Sequence, residues 1–280
     1  MARRSTAARS WARILIYAES RMMLSRPPSA RLLAGVECIW HHESPATGAH
    51  GRERVLPDGR FHVVLNLSTG AATVSGLRSH NVVIDTARVS HVMGLVFRPA
   101  AARPFFEEPA LDFFDRSVPL ALVWGSKASE LVDRLRNELS AQRRLAILEE
   151  ALVEIWSKSD RRRLTVHPAV RYALWAFQSS PHIKSVADVS REIGWSRRWF
   201  CQAFGESVGM TPKRYSRLLR FQKVVRQVAS GHRVDWADLA VSSGFSDQAH
   251  FVHEFRNFSG LSPERFLAAE RPSPNHVRLD

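Results

Sequence analysis

Two segments of the sequence carry polar side chains at spacings suited to reading DNA bases. Residues 194–204 read GWSRRWFCQAF, and residues 244–255 read GFSDQAHFVHEF. On a helix, phenylalanines four positions apart share one face, as Phe200 does with Phe204 and Phe251 with Phe255, and the polar side chains point away from it. Arginine can pair with guanine, and glutamine with adenine, in the major groove. The predicted outward residues are Arg197, Arg198 and Gln202 in the first segment, and Gln248, Ala249 and His253 in the second.

The two segments are copies of one unit. Gly194 and Gly244 are fifty positions apart, and five later pairs of residues keep a constant offset of 51. Upstream, VADVSREIG aligns with DWADLAVSSG. A constant offset over such a length indicates a structural repeat rather than chance. The matched pairs are Phe200 and Phe251, Phe204 and Phe255, Gly209 and Gly260, Pro212 and Pro263, and Tyr215 and Phe266.

Each copy predicts a helix-turn-helix. A first helix ends at the glycine, which adopts the left-handed conformation of a C-cap. After an aromatic residue in the turn, Ser196 or Asp247 begins a second helix and accepts bonds from its free N–H groups. The second helix docks its N-terminal half in the major groove. Phenylalanines at helical spacing are more often core than function, so the pairs four positions apart are assigned to the core: Phe200, Phe204, Phe251 and Phe255.

A long helix is predicted between the copies. TPKRYSRLLRFQKVVRQVASG, at 211–231, allows one rigid helix of about 17 residues, or roughly 25 Å. That length suits two recognition helices placed one DNA turn, about 34 Å, apart. Basic residues and the helix starts next to these helices are the candidates for phosphate contacts. They are Ser196, Lys213, Arg214, Asp247 and Arg256.

Charge is unevenly distributed along the 280 residues, whose net charge is +13. Residues 161–280 carry 19 lysines and arginines against 10 acidic residues, whereas residues 32–160 carry 14 against 16. A basic C-terminal third beside a near-neutral middle indicates that one domain meets a polyanion. No apolar run approaches the roughly 20 residues needed to cross a bilayer. With only two cysteines, Cys38 and Cys201, a cytoplasmic location is expected.

The sequence predicts an α+β protein: a β-rich N-terminal regulatory domain with a helical hairpin, followed by an all-α domain. Short runs rich in valine, isoleucine and aromatics predict antiparallel strands at 36–40, 60–68, 71–75, 81–85 and 90–97. The predicted division is a flexible basic arm at 1–31, a regulatory or sensor domain at 32–156, a linker at 157–166, a DNA-binding domain at 167–270 and a tail at 271–280.

Two helices are predicted at the end of the regulatory domain. Apolar residues recur at three- and four-residue spacings, with one face formed by Leu131, Leu135 and Leu139 and another by Leu145, Leu148, Leu152 and Ile155. The two helices either cover the sheet as a hairpin or pair with a second copy of the chain.

The segment from about Val166 to Ala269 resembles the DNA-binding domain of AraC/XylS-type transcriptional regulators. The resemblance lies in GWSRRWFCQAF, GMTPKRY, RLLRF, GFSDQAHFVHEF and GLSPERF, and it covers over a third of the chain. It implies seven helices, with two helix-turn-helix units joined by a long helix. The positions that match the family's base-contacting residues are Arg198, Cys201, Gln202, Gln248, Ala249 and His253. The family often has arginine where Gln202 and His253 stand, and these differences concern the target sequence.

The N-terminal half resembles, more loosely, the domain that precedes this DNA-binding region in a subgroup of such regulators. That subgroup keeps P-D-G before a strand and F-R-P-G-G-A before a helix. Here LPDGRFHVVLNLS matches the first motif, and Ala100 and Ala101 replace the two glycines of the second. The resemblance implies a sensor or oligomerisation domain, without a defined ligand.

The leading hypothesis is a sequence-specific transcription regulator that binds promoter DNA. Its candidate partners are RNA polymerase, a small-molecule effector and a second copy of the chain. The alternatives are an enzyme-like N-terminal domain tethered to a DNA-targeting module, and a constitutive architectural DNA binder. No catalytic residues or cofactor are predicted.

Other clusters of reactive side chains are weaker candidates for sites. His41 and His42, with His50 and His62, are candidate metal ligands, but alternation on a strand sends His41 and His42 to opposite faces, so these two cannot easily share one ion. Ordinary strand histidines are the favoured interpretation. Cys38 and Cys201 are candidate redox sensors or small buried residues. Asp58, Arg60 and His62 are candidates to line a small-molecule pocket, and Arg98 to pair with a carboxylate.

Overall fold

Nine strands lie in the part of the chain that the structure describes. This computed structural model describes residues 23–43, 51–86, 91–160, 163–179, 184–231 and 234–279. The strands are β1 (Met23–Arg26), β2 (Val36–Glu43), β3 (Arg52–Val55), β4 (His62–Asn66), β5 (Ala72–Ser75), β6 (Val82–Asp85), β7 (His91–Phe97), β8 (Ser117–Pro119) and β9 (His276–Arg278). They form two antiparallel sheets, in the orders β1-β2-β7-β4-β5-β8 and β6-β3-β9.

Alternating side chains orient the larger sheet. In β4 (HVVLN), Val63 and Leu65 are fully buried, and the residues on either side of them are half-buried. This period of two places one face of the sheet on the core. Two 3-10 turns, Arg103–Phe105 and Ala110–Phe113, add an aromatic layer to that core.

Three helices complete the N-terminal region: α1 (Ala121–Trp124), α2 (Ser126–Asn137) and α3 (Ala141–Lys158). The hairpin prediction is confirmed, because α2 and α3 pack on each other and α3 contacts β2. Leu139 is the exception on the predicted apolar face. It is 90 % exposed, since α2 ends at Asn137 and Glu138 is extended.

Both ends of the chain differ from the sequence prediction. The sequence predicts a flexible arm over residues 1–31, of which residues 1–22 lie outside the described part. Residues 23–26, however, form β1 on the edge of the larger sheet. The predicted tail contains β9, which pairs with β3, and its central Val277 is 1 % exposed. Strands of three or four residues are too short for an alternation to be visible in the sequence.

Seven helices follow within the described residues, as the resemblance implied. They are α4 (Pro168–Ser179), α5 (Val186–Glu192), α6 (Arg197–Val208), α7 (Pro212–Ala229), α8 (Trp236–Ser242), α9 (Gln248–Ser259) and α10 (Pro263–Ala268). Phe200, Phe204, Phe251 and Phe255 are at most 1 % exposed, which confirms their assignment to the core. No described helix is long and apolar enough to span a bilayer.

Candidate nucleic-acid interface

Both predicted recognition helices, α6 and α9, begin at a side-chain cap. Ser196 Oγ accepts a hydrogen bond from the backbone N–H of Trp199 at 3.3 Å, and Asp247 Oδ1 accepts one from His250 at 2.7 Å. Gly194 and Gly244 end the preceding segments with φ of +70° and +81°. The same glycine, turn and cap therefore recur in each copy, which confirms the predicted helix-turn-helix geometry.

The first recognition helix exposes the predicted polar residues. Arg197, Arg198 and Gln202 are exposed, and Cys201 is half-buried among them. Gln202 Nε2 donates to Glu206 Oε1, one turn further along α6, at 3.0 Å. The two arginines lie in the first turn, where a docked helix comes closest to the base edges.

The second recognition helix presents a shallow concave surface. Gln248, Ala249 and His253 are exposed there, and Val252 and Arg256 complete the lining. Sequence reasoning missed Val252, although the repeat could have identified it. At the constant offset of 51, Val252 corresponds to Cys201, which the family resemblance had singled out.

The phosphate candidates differ in their surroundings. Lys213, Arg214 and Arg256 are all exposed. The guanidinium of Arg214 lies 5.2 Å from the centre of the Phe114 ring, against the N-terminal region. Asp247 is engaged as a cap and also accepts a bond from Ser246 Oγ at 3.0 Å. The N–H of His250 lowers the pKa of the Asp247 carboxylate, which therefore stays negative.

The long helix α7 orients α9 through an ion pair whose carboxylate is buried and whose guanidinium is partly exposed. Arg217 Nε and Nη2 donate to the two carboxylate oxygens of Glu254, both at 2.5 Å. Burial acts to raise the pKa of Glu254, but the hydrogen bonds and charge of Arg217 outweigh it, so the pKa is lowered. Phe221 of α7 packs against Phe255 and Phe258, with ring centres 5.2 and 5.0 Å away. The face of α9 that carries Glu254, Phe255 and Phe258 is thus held against α7. The opposite face, with the exposed polar side chains, remains accessible.

Comparison with known families matches two parts of the chain. Residues 189–269 match the family described as "Helix-turn-helix domain", and residues 24–119 match "Domain of unknown function (DUF6597)". The C-terminal region is an AraC-type helix-turn-helix domain. This AraC-type domain contains both recognition helices and the long helix between them.

Proteins and solved structures similar to this chain come from several bacteria. A Haemophilus influenzae protein, described as an uncharacterized HTH-type transcriptional regulator, is 27 % identical over 139 residues, which are 49 % of this chain and 44 % of that protein. A solved AraC-type regulator from Chromobacterium violaceum has 22 % identity and a TM-score of 0.33, over 36 % of this chain and 90 % of its own. ToxT from Vibrio cholerae O395, bound to (E)-4-(8-methylnaphthalen-1-yl)but-3-enoic acid, has 10 % identity and a TM-score of 0.42, over 88 % and 97 %.

Outside the AraC-type domain, His41 of β2 lies beside His91 of β7. His41 is 3 % exposed, and its Nε2 lies 2.6 Å from Nε2 of His91. Nη1 of Arg144 also lies 2.6 Å from Nε2 of His91. Burial, with His91 and Arg144 nearby, lowers the pKa of His41 to about 4. The described residues contain no group of three or more His, Cys, Asp or Glu side chains that could hold a metal ion.

The Asp58–Arg60–His62 cluster lies against the AraC-type domain. His62 contacts the Asp58 carboxylate at 3.1 Å, and Arg60 pairs with Glu37 at 3.0 Å. Burial opposes ionisation of Asp58, but His62 and Arg60 hold its pKa at about 2. A Cβ on the neighbouring Gly59 would stand 3.3 Å from Leu218 Cδ2 and 3.6 Å from Tyr215 Cε2, both side chains of α7.

The remaining single candidates also have defined surroundings. Arg98 Nε donates to the carbonyl of Leu33 at 2.7 Å. Cys38 is buried, and burial raises the pKa of its thiol to about 12. A thiol with that pKa stays protonated near neutral pH, which disfavours reaction as a thiolate.

Proposed function

We propose that this chain is a sequence-specific DNA-binding transcriptional regulator that acts in the cytoplasm. Its two recognition helices enter successive major-groove segments on one face of the duplex. The observation that carries the proposal is the repetition, since the same cap and buried phenylalanine pair hold two exposed stripes of polar residues. If the polar residues were only a solvent-exposed helix face, nothing would require the same cap and phenylalanine pair to occur twice.

The two stripes divide the reading of bases. Arg197 and Arg198 have the donor geometry for guanine O6 and N7, whereas Gln202 and Gln248 suit adenine N6 and N7. His253 supplies a further ring donor or acceptor. Cys201, Ala249 and Val252 offer small apolar surfaces, and we assign them to contacts with thymine methyl groups.

Phosphate contacts fix the position of the protein on the duplex. Lys213, Arg214 and Arg256 provide positive charge for them. Because the Asp247 carboxylate is negative and engaged as a cap, we assign Asp247 and Ser196 to holding the helix starts. Phosphate there would be bound by backbone N–H groups, which carry partial positive charge.

The N-terminal region supplies regulation in this proposal. We assign to it the sensing of a signal, from a small-molecule effector or from contact with a second copy of the chain. RNA polymerase is the partner through which bound protein would change transcription.

Selection of bound DNA from a random pool, with the full chain, tests this function. We expect one site with two contacted segments about one helical turn, 10–10.5 base pairs, apart. Arg198→Ala should weaken binding to that site by about 1–3 kcal/mol and relax the preference at one position. Arg143→Ala is the matched control, because Arg143 is 79 % exposed on α3, in the N-terminal region. A pool that yields no enriched sequence would contradict the proposal.

A further inference from the structure

The N-terminal region contacts the C-terminal ends of both recognition helices. The last carbonyls of a helix have no partner within it and carry partial negative charge. At the end of α9, Arg54 Nη1 donates to the carbonyl of Ser259 at 3.1 Å, and Asn81 Nδ2 donates to that of Phe258 at 3.4 Å. At the end of α6, Arg103 Nη1 lies 3.5 Å from the carbonyl of Glu206. An arginine of the N-terminal region therefore sits at the last turn of each recognition helix.

Glycines permit this close approach at both helix ends. A Cβ on Gly260 would stand 2.9 Å from Arg54 Nη1 and from Asn81 Nδ2. A Cβ on Gly209 would stand 2.8 Å from the Phe61 ring and 3.0 Å from the carbonyl of Ala110. Gly209 and Gly260 are equivalent positions of the repeat, so the same point of each unit is covered by the N-terminal region.

The two sets of contacts are joined by a short, buried path. Arg54 lies in β3, and the chain runs from there through Leu56 to Phe61, both at most 4 % exposed. Phe61 packs on Phe113 of the second 3-10 turn, with ring centres 5.8 Å apart. Gln222 of α7 donates its Nε2 to the carbonyl of Pro57 at 2.7 Å. The residues that contact the end of α9 (Arg54 and Asn81), the segment that contacts the end of α6, and the long helix α7 between them thus pack around one core.

The C-terminal strand completes this arrangement. β9 pairs with β3 opposite β6, and Asn275 Oδ1 accepts a bond from Gln222 at 2.9 Å. Arg54 in β3 and Asn81, the residue before β6, are therefore held by a three-stranded sheet whose third strand is β9. A third strand stiffens a pair of strands that would be marginal alone.

We infer that Arg54, Asn81 and Arg103 are positioning residues that fix the separation of the two recognition helices, and so select the spacing of the two DNA segments. The inference rests on the proposed function. The long helix α7 links the two units, but each recognition helix is also held at its far end by the same rigid N-terminal region. DNA whose segments are spaced differently can then be bound only if the DNA or the protein deforms.

The test compares binding of the full chain to the selected site and to versions with one or two base pairs inserted between the segments. We expect the wild-type chain to prefer the selected spacing by about tenfold or more, since twisting or bending DNA to compensate is costly. In the double variant Arg54→Met with Asn81→Ala, this preference should fall to about threefold or less. Arg103→Met acts at the other helix and should broaden the preference in the same direction.

Two controls distinguish an effect on the spacing preference from an effect on protein folding or on the affinity for a single DNA segment. Arg52→Met makes the same change on the same strand, at an exposed side chain, and should leave the spacing preference as in the wild type. DNA that carries only one of the two segments should bind wild type and variants with affinities within about twofold of each other, because the base-reading stripes are unchanged.

The outcomes distinguish the two proposals. Variants that bind single segments normally but tolerate altered spacing support the inference. Variants that keep the sharp spacing preference overturn it and leave the regulator function standing. Variants that lose single-segment binding also overturn it, since the contacts would then shape each helix rather than the distance between them. A wild-type chain without sequence-specific binding would overturn the proposed function, and the inference with it.

Discussion

Arg217→Met should destabilise the protein strongly, because it leaves the Glu254 carboxylate buried without its partner. The Glu254 side chain is 6 % exposed, whereas that of Arg217 is 33 % exposed. Removal of one member of a buried ion pair costs about 3–5 kcal/mol, most of it from the charge that stays behind. Arg220, which also lowers the pKa of Glu254, places the expected loss in the lower half of that range.

Glu254→Gln should cost less, because the unequal exposure of the two partners decides which removal is worse. The amide still accepts one bond from Arg217, and the partly exposed guanidinium can be hydrated. The loss of one charge-assisted hydrogen bond corresponds to about 1.5–3 kcal/mol. As the pH falls below 4.5, the ordinary pKa of glutamate, the unfolded chain takes up the proton that folded Glu254 resists. The contribution of the pair therefore declines, and it is lost once the pH is below the lowered pKa of the folded state.

Urea unfolding at pH 7 measures both variants, with Arg134→Met as the matched control. Arg134 pairs with Glu150 across α2 and α3 at 3.7 Å, and both side chains are more than half exposed. Loss of such a surface pair should change the free energy of unfolding by about 1 kcal/mol or less. The reasoning is refuted if Glu254→Gln is the more damaging substitution, or if Arg217→Met behaves like Arg134→Met.

Two further predictions concern the N-terminal region. Ala100 is buried with φ of +62°, so Ala100→Gly should relieve about 1–2 kcal/mol of left-handed strain. Glycine offsets about 0.5–1 kcal/mol of this gain, because it loses more conformational entropy on folding than alanine does. Urea unfolding should therefore show a small net stabilisation for Ala100→Gly and a destabilisation for Ala101→Gly. Stability should also fall as the pH drops from 6.5 towards about 4, because the unfolded chain takes up a proton that buried His41 resists. Unfolding midpoints measured across this range should show a shallower decline for His41→Gln; equal slopes would rule out His41 as the source.

The helical repeat could be predicted from sequence because its physics is local. A glycine, a capping side chain and two phenylalanines four apart specify a turn and a helix within about a dozen residues, whatever lies around them. The exposed stripe follows from the same periodicity, and Val252 could have been included by applying the repeat offset to Cys201. The strands of β4 and β7 were also predictable, since their apolar runs are long enough to identify.

Contacts between distant segments could not be predicted in this way. Nothing near Arg54 in sequence indicates that it meets a helix end, because its partner Ser259 is 205 positions away. β1 and β9 are too short to show a periodicity, and pairing partners rather than residue propensities create them. The positive φ of Ala100 is likewise imposed by the surrounding core, although the glycines of related sequences pointed to that position.

The pairing of β9 with β3 also sets an order of events during synthesis of the chain. His276 Nδ1 lies 2.8 Å from Glu53 Oε2 across the two strands, and the two residues are 223 positions apart. When β3 and β6 leave the ribosome they form only a two-stranded ribbon, and the third strand is made after both helix-turn-helix units. Closing so long a loop is slow, although its entropic cost grows only logarithmically with length. The small sheet is therefore completed only after both helix-turn-helix units have been made. Until the region that carries both recognition helices has been translated, one edge of β3 has no β9 to pair with in the nascent chain.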